Sequence, residues 1–221
     1  LLVPSGYATI QEAIDASIAG DEVVIGAGTY TGAGNRDLDF GGKAITVRST
    51  DPNDPNVIAA TIIDCEGSSA DRHRAFTFHN GEDPNAVVAG LTITRGYAPY
   101  EVYDRPVGSP PNWSVGGGIF CDRSNPTIRN CVFEDNRANN LGAAIAGLVC
   151  EDGLTILGCE FTNNTSYNDG GGVQLDWCTA TVLECLFSGN SASYGGGALE
   201  ANSSSSLITN CTFLTNAASN Q

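Results

Sequence analysis

The feature that most constrains this chain is a repeat of 26 to 28 residues in its second half. Each of four repeats carries a glycine-led cluster, then a β-branched residue, a cysteine, a phenylalanine two positions later and an asparagine three positions beyond that. A fixed period of this length is typical of a solenoid, in which stacked units bury hydrophobic faces that no unit can bury alone. The columns are Cys131, Cys159, Cys185 and Cys211; Phe133, Phe161, Phe187 and Phe213; and Asn136, Asn164, Asn190 and Asn216.

The repeating unit is predicted to consist of β-strands. Short β-rich pieces such as Pro126-Thr127-Ile128 and Cys131-Val132-Phe133 are separated by Gly, Asn, Ser and Asp, and no repeat shows the longer periodicity of an amphipathic helix. The cysteine and phenylalanine of each repeat are constant while the residue between them varies, as expected if both face the core. We therefore predict an all-β parallel β-helix, in which equivalent residues stack about 4.8 Å apart and form ladders.

The whole chain is predicted to form one domain. A solenoid grows along a single axis, so 221 residues need not divide into two globular cores. With about 26 residues per coil, the chain makes roughly eight coils and a rod on the order of 40 Å long. Within the domain 1–221 we assign 1–21 to an N-terminal strand and cap helix, 22–96 to irregular coils, 97–115 to a protruding loop and 116–221 to the four regular repeats.

The charge balance argues against nucleic acid as a partner. The chain has 10 Lys and Arg against 25 Asp and Glu, a formal net charge of −15, and Lys43 is its only lysine. Phosphate binding needs clustered cations, and polyanionic polysaccharides meet the same obstacle unless a divalent cation bridges. No apolar run reaches the length of a membrane span, so direct membrane insertion is not expected. The chain contains no methionine and opens with no signal peptide, which indicates a processed chain or a piece of a longer one.

Eight cysteines raise the question of disulfide bonds. The four ladder cysteines are predicted to stay buried thiols, because parallel side chains one strand apart place their Cβ atoms slightly too far apart for a disulfide. Cys150 and Cys178 also stack, and they are the better disulfide candidates, with two free thiols as the alternative. No cofactor is expected and metal binding is improbable, since no Cys-x-x-Cys pair exists and the two histidines, His73 and His79, are remote in sequence. Calcium is the one cofactor left open.

The first residues predict a helix that covers one end of the core. Thr9 and Glu12 form a capping-box pattern, and Gly20 is the predicted stop. An amphipathic helix at the start of a β-helix is well placed to cover the apolar core. Its apolar face comprises Ile10, Ala13 and Ile14.

The other end is predicted to be uncapped. After Asn216 the next glycine cluster is due at position 221 or 222, so the chain ends at a coil boundary. An uncovered last coil is an open sheet edge that favours association. We expect further coils or another molecule to cover it, and a head-to-tail stack that does not close would build a filament.

A loop rich in aromatic residues separates the irregular coils from the repeats. Between Gly96 and Gly116 the chain takes 20 residues, where later coils take five or six. Exposed rings on a loop stiffened by four prolines predict a contact surface for a sugar or a protein. The alternative is that the loop folds back and its rings pack on the flank of the β-helix. The aromatic residues are Tyr97, Tyr100, Tyr103 and Trp113.

Two sets of motifs resemble known families. Glycine-rich tetrads such as Gly170-Gly171-Gly172-Val173, paired with segments such as Phe161-Thr162-Asn163-Asn164, resemble the repeats of polymorphic outer-membrane proteins and related bacterial surface β-helices. The stretch Tyr7-Ala8-Thr9-Ile10-Gln11-Glu12-Ala13-Ile14, followed by Gly20-Asp21-Glu22-Val23-Val24-Ile25 and Gly28-Thr29-Tyr30, is similar to the entry segment of the pectate-lyase-like superfamily. These resemblances cover most of the chain and imply a right-handed parallel β-helix in an exported protein. They imply no particular activity, since the fold carries lyases, hydrolases, esterases, adhesins and passive stalks.

No catalytic residue can be assigned from the sequence. A lyase of this superfamily needs a carboxylate set for calcium with a nearby base, and a glycoside hydrolase needs paired carboxylates. The acidic residues here do not form columns, because the places of Glu134 and Asp135 hold Thr162 and Asn163 in the next coil. Isolated charged groups are interpreted as solvated loops. They are Asp51 and Asp54, and Arg72, His73 and Arg74 beside Asp64, Glu66 and Asp71.

The regular repeats, the uncapped end and the lack of a catalytic constellation favour a structural or adhesive role. We therefore expect an exported cell-surface or extracellular-matrix protein that self-associates or continues into further coils at its C-terminal end. The alternatives are a carbohydrate-active enzyme, of the polysaccharide lyase or glycoside hydrolase type, and a carbohydrate-binding module.

Overall fold

The computed structural model describes residues 1–101 and 113–219, and of Glu101 only the backbone. In this part of the chain, short strands are joined by tight turns, and there are two short helices. The helices are α1 (Ile10–Ala16) and α2 (Pro55–Ala60). The strands before residue 102 are β1 (Leu2–Val3), β2 (Glu22–Ile25), β3 (Gly28–Tyr30), β4 (Leu38–Asp39), β5 (Thr46–Ser49), β6 (Thr61–Asp64), β7 (Phe76–Phe78), β8 (Val87–Ala89), β9 (Thr92–Thr94) and β10 (Tyr100–Glu101).

The strands after residue 112 repeat in sets of four. They are β11 (Trp113–Ser114), β12 (Ile119–Asp122), β13 (Thr127–Arg129), β14 (Val132–Glu134), β15 (Arg137–Ala138), β16 (Ile145–Leu148), β17 (Leu154–Leu157), β18 (Glu160–Thr162), β19 (Thr165–Ser166), β20 (Val173–Asp176), β21 (Ala180–Leu183), β22 (Leu186–Ser188), β23 (Ser191–Ala192), β24 (Leu199–Asn202), β25 (Leu207–Thr209), β26 (Thr212–Leu214) and β27 (Ala217–Ala218).

Four parallel sheets run along the molecule. Sheet 1 has eight strands in the order β1-β2-β5-β8-β13-β17-β21-β25, and sheet 2 has seven in the order β3-β6-β9-β14-β18-β22-β26. Sheet 3 has six strands, β4-β7-β12-β16-β20-β24, and sheet 4 has four, β15-β19-β23-β27. In each regular coil the chain passes from sheet 3 to sheets 1, 2 and 4 and then returns to sheet 3 one level higher. This topology confirms the prediction of an all-β parallel β-helix.

The register between coils is the one that the repeat predicts. Ile128 pairs with Ile156, and Phe133 pairs with Phe161. The turns between sheets 1 and 2 each use one residue with a left-handed backbone, Asn130 in one coil and Gly158 in the next, with φ angles of 52° and 60°. A side chain that tolerates this conformation, or none at all, is favoured at such positions. One continuous hydrophobic core extends from Val3 to Ala198.

Helix α1 covers the N-terminal end of this core. Thr9 and Glu12 form the predicted capping box, and the helix buries its predicted apolar face of Ile10, Ala13 and Ile14. The predicted stop at Gly20 is wrong, because the helix already ends at Ala16 and Ser17 is its C-cap. The Ser17 hydroxyl and backbone N–H both donate to the Ile14 carbonyl, which completes the helix end earlier than a glycine would.

Candidate functional site

The asparagine column forms a continuous hydrogen-bonded ladder at the turn between sheets 2 and 4. Asn164 Oδ1 accepts from both the backbone N–H and the side-chain Nδ2 of Asn136, at 3.1 and 3.0 Å. Asn164 Nδ2 donates in turn to the Phe133 carbonyl at 3.0 Å and to Asn190 Oδ1 at 2.9 Å. Asn136, Asn164 and Asn190 therefore each tie their own coil to both neighbours, and their side-chain amides are hydrogen-bonded.

The phenylalanine column forms a stack of nearly parallel rings inside the core. Successive ring centroids, from Phe133 to Phe213, lie 5.1, 4.6 and 4.9 Å apart, with interplanar angles of 8 to 11°. At the start of the column Ile93 pairs with Phe133, and the backbone N–H of Gly96 donates to Asn136 Oδ1 at 2.9 Å. The coil before the first repeat thus already follows the same pattern without the same residues.

The ladder cysteines are thiols, as predicted. Cys159 Sγ contacts the Leu157 carbonyl at 3.5 Å and the Ile128 carbonyl of the previous coil at 3.7 Å, and Cys185 repeats both contacts with its own neighbours. Burial and the neighbouring thiols raise the pKa of Cys159 well above its usual value, so it stays protonated at neutral pH. A buried thiol of this kind is a poor nucleophile and acts as a small core residue.

Cys150 and Cys178 are also free thiols in the structure, so the disulfide weighed for them is not formed. The two side chains are stacked on adjacent coils, and the neighbouring Cys178 thiol together with burial raises the pKa of Cys150 well above its usual value. Each Sγ also contacts the backbone carbonyl two residues earlier in its own coil, Leu148 and Asp176 respectively. Side chains that run parallel on adjacent coils are held at the strand spacing, which is longer than the Cβ separation of a disulfide.

Of the four aromatic residues predicted to form a contact surface, Tyr103 lies outside the described residues. The other three do not form one surface. Tyr97 is only 9% exposed, and its hydroxyl donates to Asn139 Oδ1 at 2.8 Å. Trp113 packs against a small apolar cluster formed by Val115, Phe120, Leu141, Ala146 and Leu148. The alternative, that the rings pack on the flank, therefore describes these two residues, and Tyr100 alone is 53% exposed.

Arg72 organises this aromatic cluster. Its guanidinium lies 4.5 Å from the ring centroid of Tyr97 and 4.2 Å from that of Tyr100, which gives two cation–π contacts. It also donates to the Ala98 carbonyl and to Ser114 Oγ, at 2.9 and 3.0 Å. Arg72 was interpreted as part of a solvated loop, but here it holds the strand pair β10–β11 against the β-helix.

Arg95 and His73 contact acidic side chains, whereas Arg74 is only 1% exposed and its guanidinium donates to the Val115 carbonyl at 3.0 Å, so its interpretation as part of a solvated loop is wrong. Arg95 Nε donates to Asp64 Oδ1 at 2.8 Å, its Nη2 contacts the other carboxylate oxygen, and this pairing raises the pKa of Arg95. His73 contacts Asp37 at 2.6 Å and Asp71 at 3.0 Å through its two ring nitrogens. These contacts give Arg95 and His73 polar partners close by. Within residues 1–101 and 113–219, no group of three His, Cys, Asp or Glu side chains is placed to hold a metal ion.

The best candidate for a binding site is a groove of about 600 Å³ on the outer face of sheet 2. Helix α2 forms one wall with Ile58 and Ala59, and outward-facing residues of successive strands, among them Ile62 and Val132, form the floor. The sequence carries a signal for α2, because Asp54 is its N-cap and Pro55 its first residue. Asp54 was interpreted as part of a loop instead. The groove was not predicted, because no repeat marks it.

Polar groups surround one end of this groove. They are the amides of Asn53 and Asn130, which are hydrogen-bonded to each other at 2.9 Å, and the carboxylates of Glu134 and Glu160. The two glutamates are on neighbouring strands but not opposite each other, because Glu134 pairs with Thr162 and Glu160 with Val132. An apolar floor beside amides and carboxylates suits a ligand with both apolar faces and hydroxyl groups.

Comparison with known proteins agrees with this architecture. Residues 40–187 match the model of the right-handed beta helix region, and residues 184–202 match the repeat of the Chlamydia polymorphic membrane protein. No protein of curated function matches the chain. Neither helix in the described part of the chain is long and apolar enough to cross a membrane. Since the first match covers well over half of the 221 residues, the chain belongs to the right-handed parallel β-helix family.

Proposed function

We propose that this chain is part of an exported structural or adhesive protein, displayed at a cell surface or in an extracellular matrix, whose last described coil is covered by a further coil or by another copy of the chain. The membership of the right-handed β-helix family supports a rod-like shape, and the match of residues 184–202 to a membrane-protein repeat supports display at a surface. The observation that carries the proposal is the surface of the last coil.

The last coil exposes the positions that every earlier regular coil buries. Phe213 is 49% exposed and Ile208 is 38% exposed, whereas Phe187 and Val182, one coil below, are fully buried. The strands β24, β25, β26 and β27 each form the outer edge of their sheet. Apolar side chains beside free strand edges favour pairing with another polypeptide.

The asparagine ladder indicates what kind of polypeptide fits this edge. The backbone N–H and Nδ2 of Asn190 both donate to Asn216 Oδ1, at 3.0 and 2.9 Å. For Asn216 the equivalent acceptor would come from a strand turn stacked on the open edge. A coil of this same repeat supplies such an acceptor together with a phenylalanine for the ring stack.

The two ends of the molecule differ, and this affects how copies would meet. The outer surface of α1 carries Gln11, Glu12 and Asp15, which are polar. A head-to-tail stack would place this polar surface on the apolar last coil, whereas a tail-to-tail contact would cover the apolar surfaces of two last coils. The apolar surface favours tail-to-tail pairs, whereas the open ladder position of Asn216 favours a further parallel coil, because Asn216 Oδ1 of a second copy already accepts from its own Asn190. The association state distinguishes the two arrangements.

The test is the association state of the protein at neutral pH, measured by light scattering across a concentration series and by electron microscopy. Tail-to-tail association predicts dimers of twice the rod length, and head-to-tail stacking predicts filaments. The variant Phe213→Lys, which places a charge on the inward column of the open edge, should be monomeric. Leu214→Lys is the matched control, because Leu214 is equally exposed at 49% but its strand partner Ser188 faces outward. A monomeric wild-type protein at every concentration would refute self-association.

A second candidate function is carbohydrate binding in the groove beside α2. The specific observation is the combination of an apolar floor with two amides and two carboxylates in a groove of about 600 Å³. Apolar surface can contact the C–H face of a sugar while the polar groups bind its hydroxyls. The acidic lining favours neutral rather than anionic sugars.

Calorimetric titration with neutral oligosaccharides tests this candidate. The expected result is saturable binding that Asn130→Ala and Glu134→Gln weaken by about tenfold, the effect of losing a hydrogen bond worth roughly 1.4 kcal/mol. Glu151→Gln is the control, because it removes the same charge as Glu134→Gln from an exposed residue outside the groove. Binding that is equally strong in the Asn130 variant would exclude the groove as its site.

A further inference from the structure

A cluster of oxygen atoms lies at the corner where sheet 4 leads into sheet 3 in the last two coils. Asp169 Oδ1 accepts from the Gly195 N–H at 2.7 Å, and Glu200 Oε2 accepts from the Gly196 N–H at 3.1 Å. A Cβ atom placed on Gly195 would lie 1.6 Å from Glu200 Oε2 and 2.7 Å from Asp169 Oδ1. The two carboxylates therefore converge on one point from neighbouring coils, and both side chains are partly open to solvent.

A buried amide oxygen without a partner faces the same corner. Gln174 is 1% exposed, and within the described part of the chain its Oε1 has no hydrogen-bond partner. Its Nε2 donates to Asp176 Oδ1 at 2.6 Å, which fixes the orientation of the amide. Gln174 Oε1 lies against Gly170, the residue after Asp169, and Gln174 pairs in register with Glu200.

The electrostatics of this corner favour a cation. Asp169 and Glu200 bring two carboxylates of like charge to this corner, and the Asp176 carboxylate accepts from the Gln174 amide beside them. An acceptor such as Gln174 Oε1 is costly when it is buried without a donor or a cation. A positive ion placed between the three oxygens would remove both penalties at once.

We propose that Asp169, Gln174 and Glu200 form a calcium site that joins the last two coils. Ca²⁺ accepts carboxylate and amide oxygens together, tolerates irregular geometry and fills its remaining positions with backbone carbonyls or water, whereas Mg²⁺ requires a nearly regular octahedron. The site lies apart from the groove on sheet 2. It does not depend on end-to-end association, and it would order the coil that carries the open edge.

Terbium luminescence tests the site, because Tb³⁺ replaces Ca²⁺ and tyrosine transfers excitation energy to it. Tyr194 directly precedes Gly195, and Tyr167 lies two residues before Asp169. The expected result is saturable Tb³⁺ emission that Ca²⁺ displaces at about 0.1–1 mM, the range of extracellular calcium modules, and that Mg²⁺ displaces at least tenfold less well. Ca²⁺ should also raise the unfolding temperature of the wild-type protein.

Variants distinguish specific Ca²⁺ coordination from non-specific attraction of cations to the acidic surface. Glu200→Gln and the nearly isosteric Gln174→Met should each weaken Ca²⁺ at least tenfold, with folding checked by circular dichroism. Glu151→Gln is the matched control, since it removes one exposed carboxylate that lies in neither candidate site and should leave the affinity unchanged. Absence of saturable binding in the wild-type protein, or an equal loss in Glu151→Gln and Glu200→Gln, would overturn the proposal.

Discussion

The N-terminal coils and the regular repeats are both stacks of parallel coils, but different side-chain contacts connect the coils in the two regions. In the repeats, identical asparagine, phenylalanine and cysteine side chains stack on each other from coil to coil. In the earlier coils identical residues meet only at inward apolar positions, such as Val47 with Val88, and ion pairs such as Glu22–Arg48 and Asp64–Arg95 connect one coil to the next. Sheets 1, 2 and 3 continue through both regions with parallel pairing, whereas the strands of sheet 4 all belong to the repeats.

Coil length explains the difference. In sheet 1 the chain takes 41 residues from Val47 to its partner Val88, because that interval contains α2 and longer turns, but only 26 from Ile156 to Val182. A column of identical residues requires that each turn return the chain to the same place. Where the turns vary in length, only the inward-facing apolar positions keep their register, and polar contacts are made individually.

The largest loss of stability is expected when one ring is removed from the phenylalanine stack. Phe161→Ala should lower the free energy of unfolding by about 3–5 kcal/mol, because it leaves a cavity between Phe133 and Phe187. Phe213→Ala, at the exposed edge, should cost about 1 kcal/mol, since its ring is half in water already. Urea unfolding of both variants measures the difference. Equal costs would mean that the last coil is covered in solution.

The asparagine ladder should be the next most sensitive feature. Asn164→Ala removes the acceptor of two bonds from Asn136 and leaves the Phe133 carbonyl without its donor. The expected cost is about 2–4 kcal/mol, since several buried polar groups lose their partners together. Asn216→Ala, at the open edge, should cost less than half as much because water can replace the lost bonds. A ladder that tolerates Asn164→Ala as well as Asn216→Ala would not hold the coils together.

In the N-terminal region the corresponding test concerns the N-terminus of helix α1, which covers the core. Thr9→Ala removes the side-chain acceptor of the Glu12 N–H in the capping box of α1. The loss should be about 1 kcal/mol, and hydrogen exchange should increase first in α1 and in β2 beneath it. Thr29→Ala, at an exposed strand position, serves as the control and should change stability by less than about 0.5 kcal/mol.

Several turns of the repeats depart from the residue type that their conformation favours, and replacing one of these residues, Val149, should raise stability. Val149 has a φ of 57°, a strained conformation for a β-branched residue. Val149→Asn should therefore stabilise the protein by about 0.5–1 kcal/mol, as a shift of the urea midpoint at unchanged slope. Val132→Asn, on the strand β14, should lower stability instead. If Val149→Asn also lowers it, the packing of the valine outweighs the strain.

The repeats could be predicted from the sequence because period and contact coincide there. Each column that keeps its phase in the sequence, such as Phe133 with Phe161, is a contact in the structure. The groove beside α2 and the oxygen cluster near Asp169 could not be predicted in this way. Asp169, Gln174 and Glu200 come from different columns and adjacent coils, and Gln174 aligns with Ala146 and Phe120 in the coils below it. A site made of such unlike residues leaves no periodic signal.

The smallest expected effect concerns the ion pairs that replace the ladders in the N-terminal coils, and it depends on pH. The hydrogen bond from Arg48 lowers the pKa of Glu22 below its usual 4.5. Because the folded state then holds its proton less tightly than the unfolded state, the stabilisation is present above pH 4.5 and disappears as the pH falls through the lowered value.

Glu22→Gln should therefore cost about 0.5 kcal/mol or less at pH 7, because the Glu22 side chain is 52% exposed, and the cost should shrink as the pH falls from 4.5 towards 3. The difference between wild type and variant, followed by urea unfolding from pH 7 to pH 3, measures it, with Glu151→Gln as the exposed control. A cost at pH 7 as large as that of Asn164→Ala would break the comparison, because individual surface pairs would then hold coils together as strongly as a buried ladder.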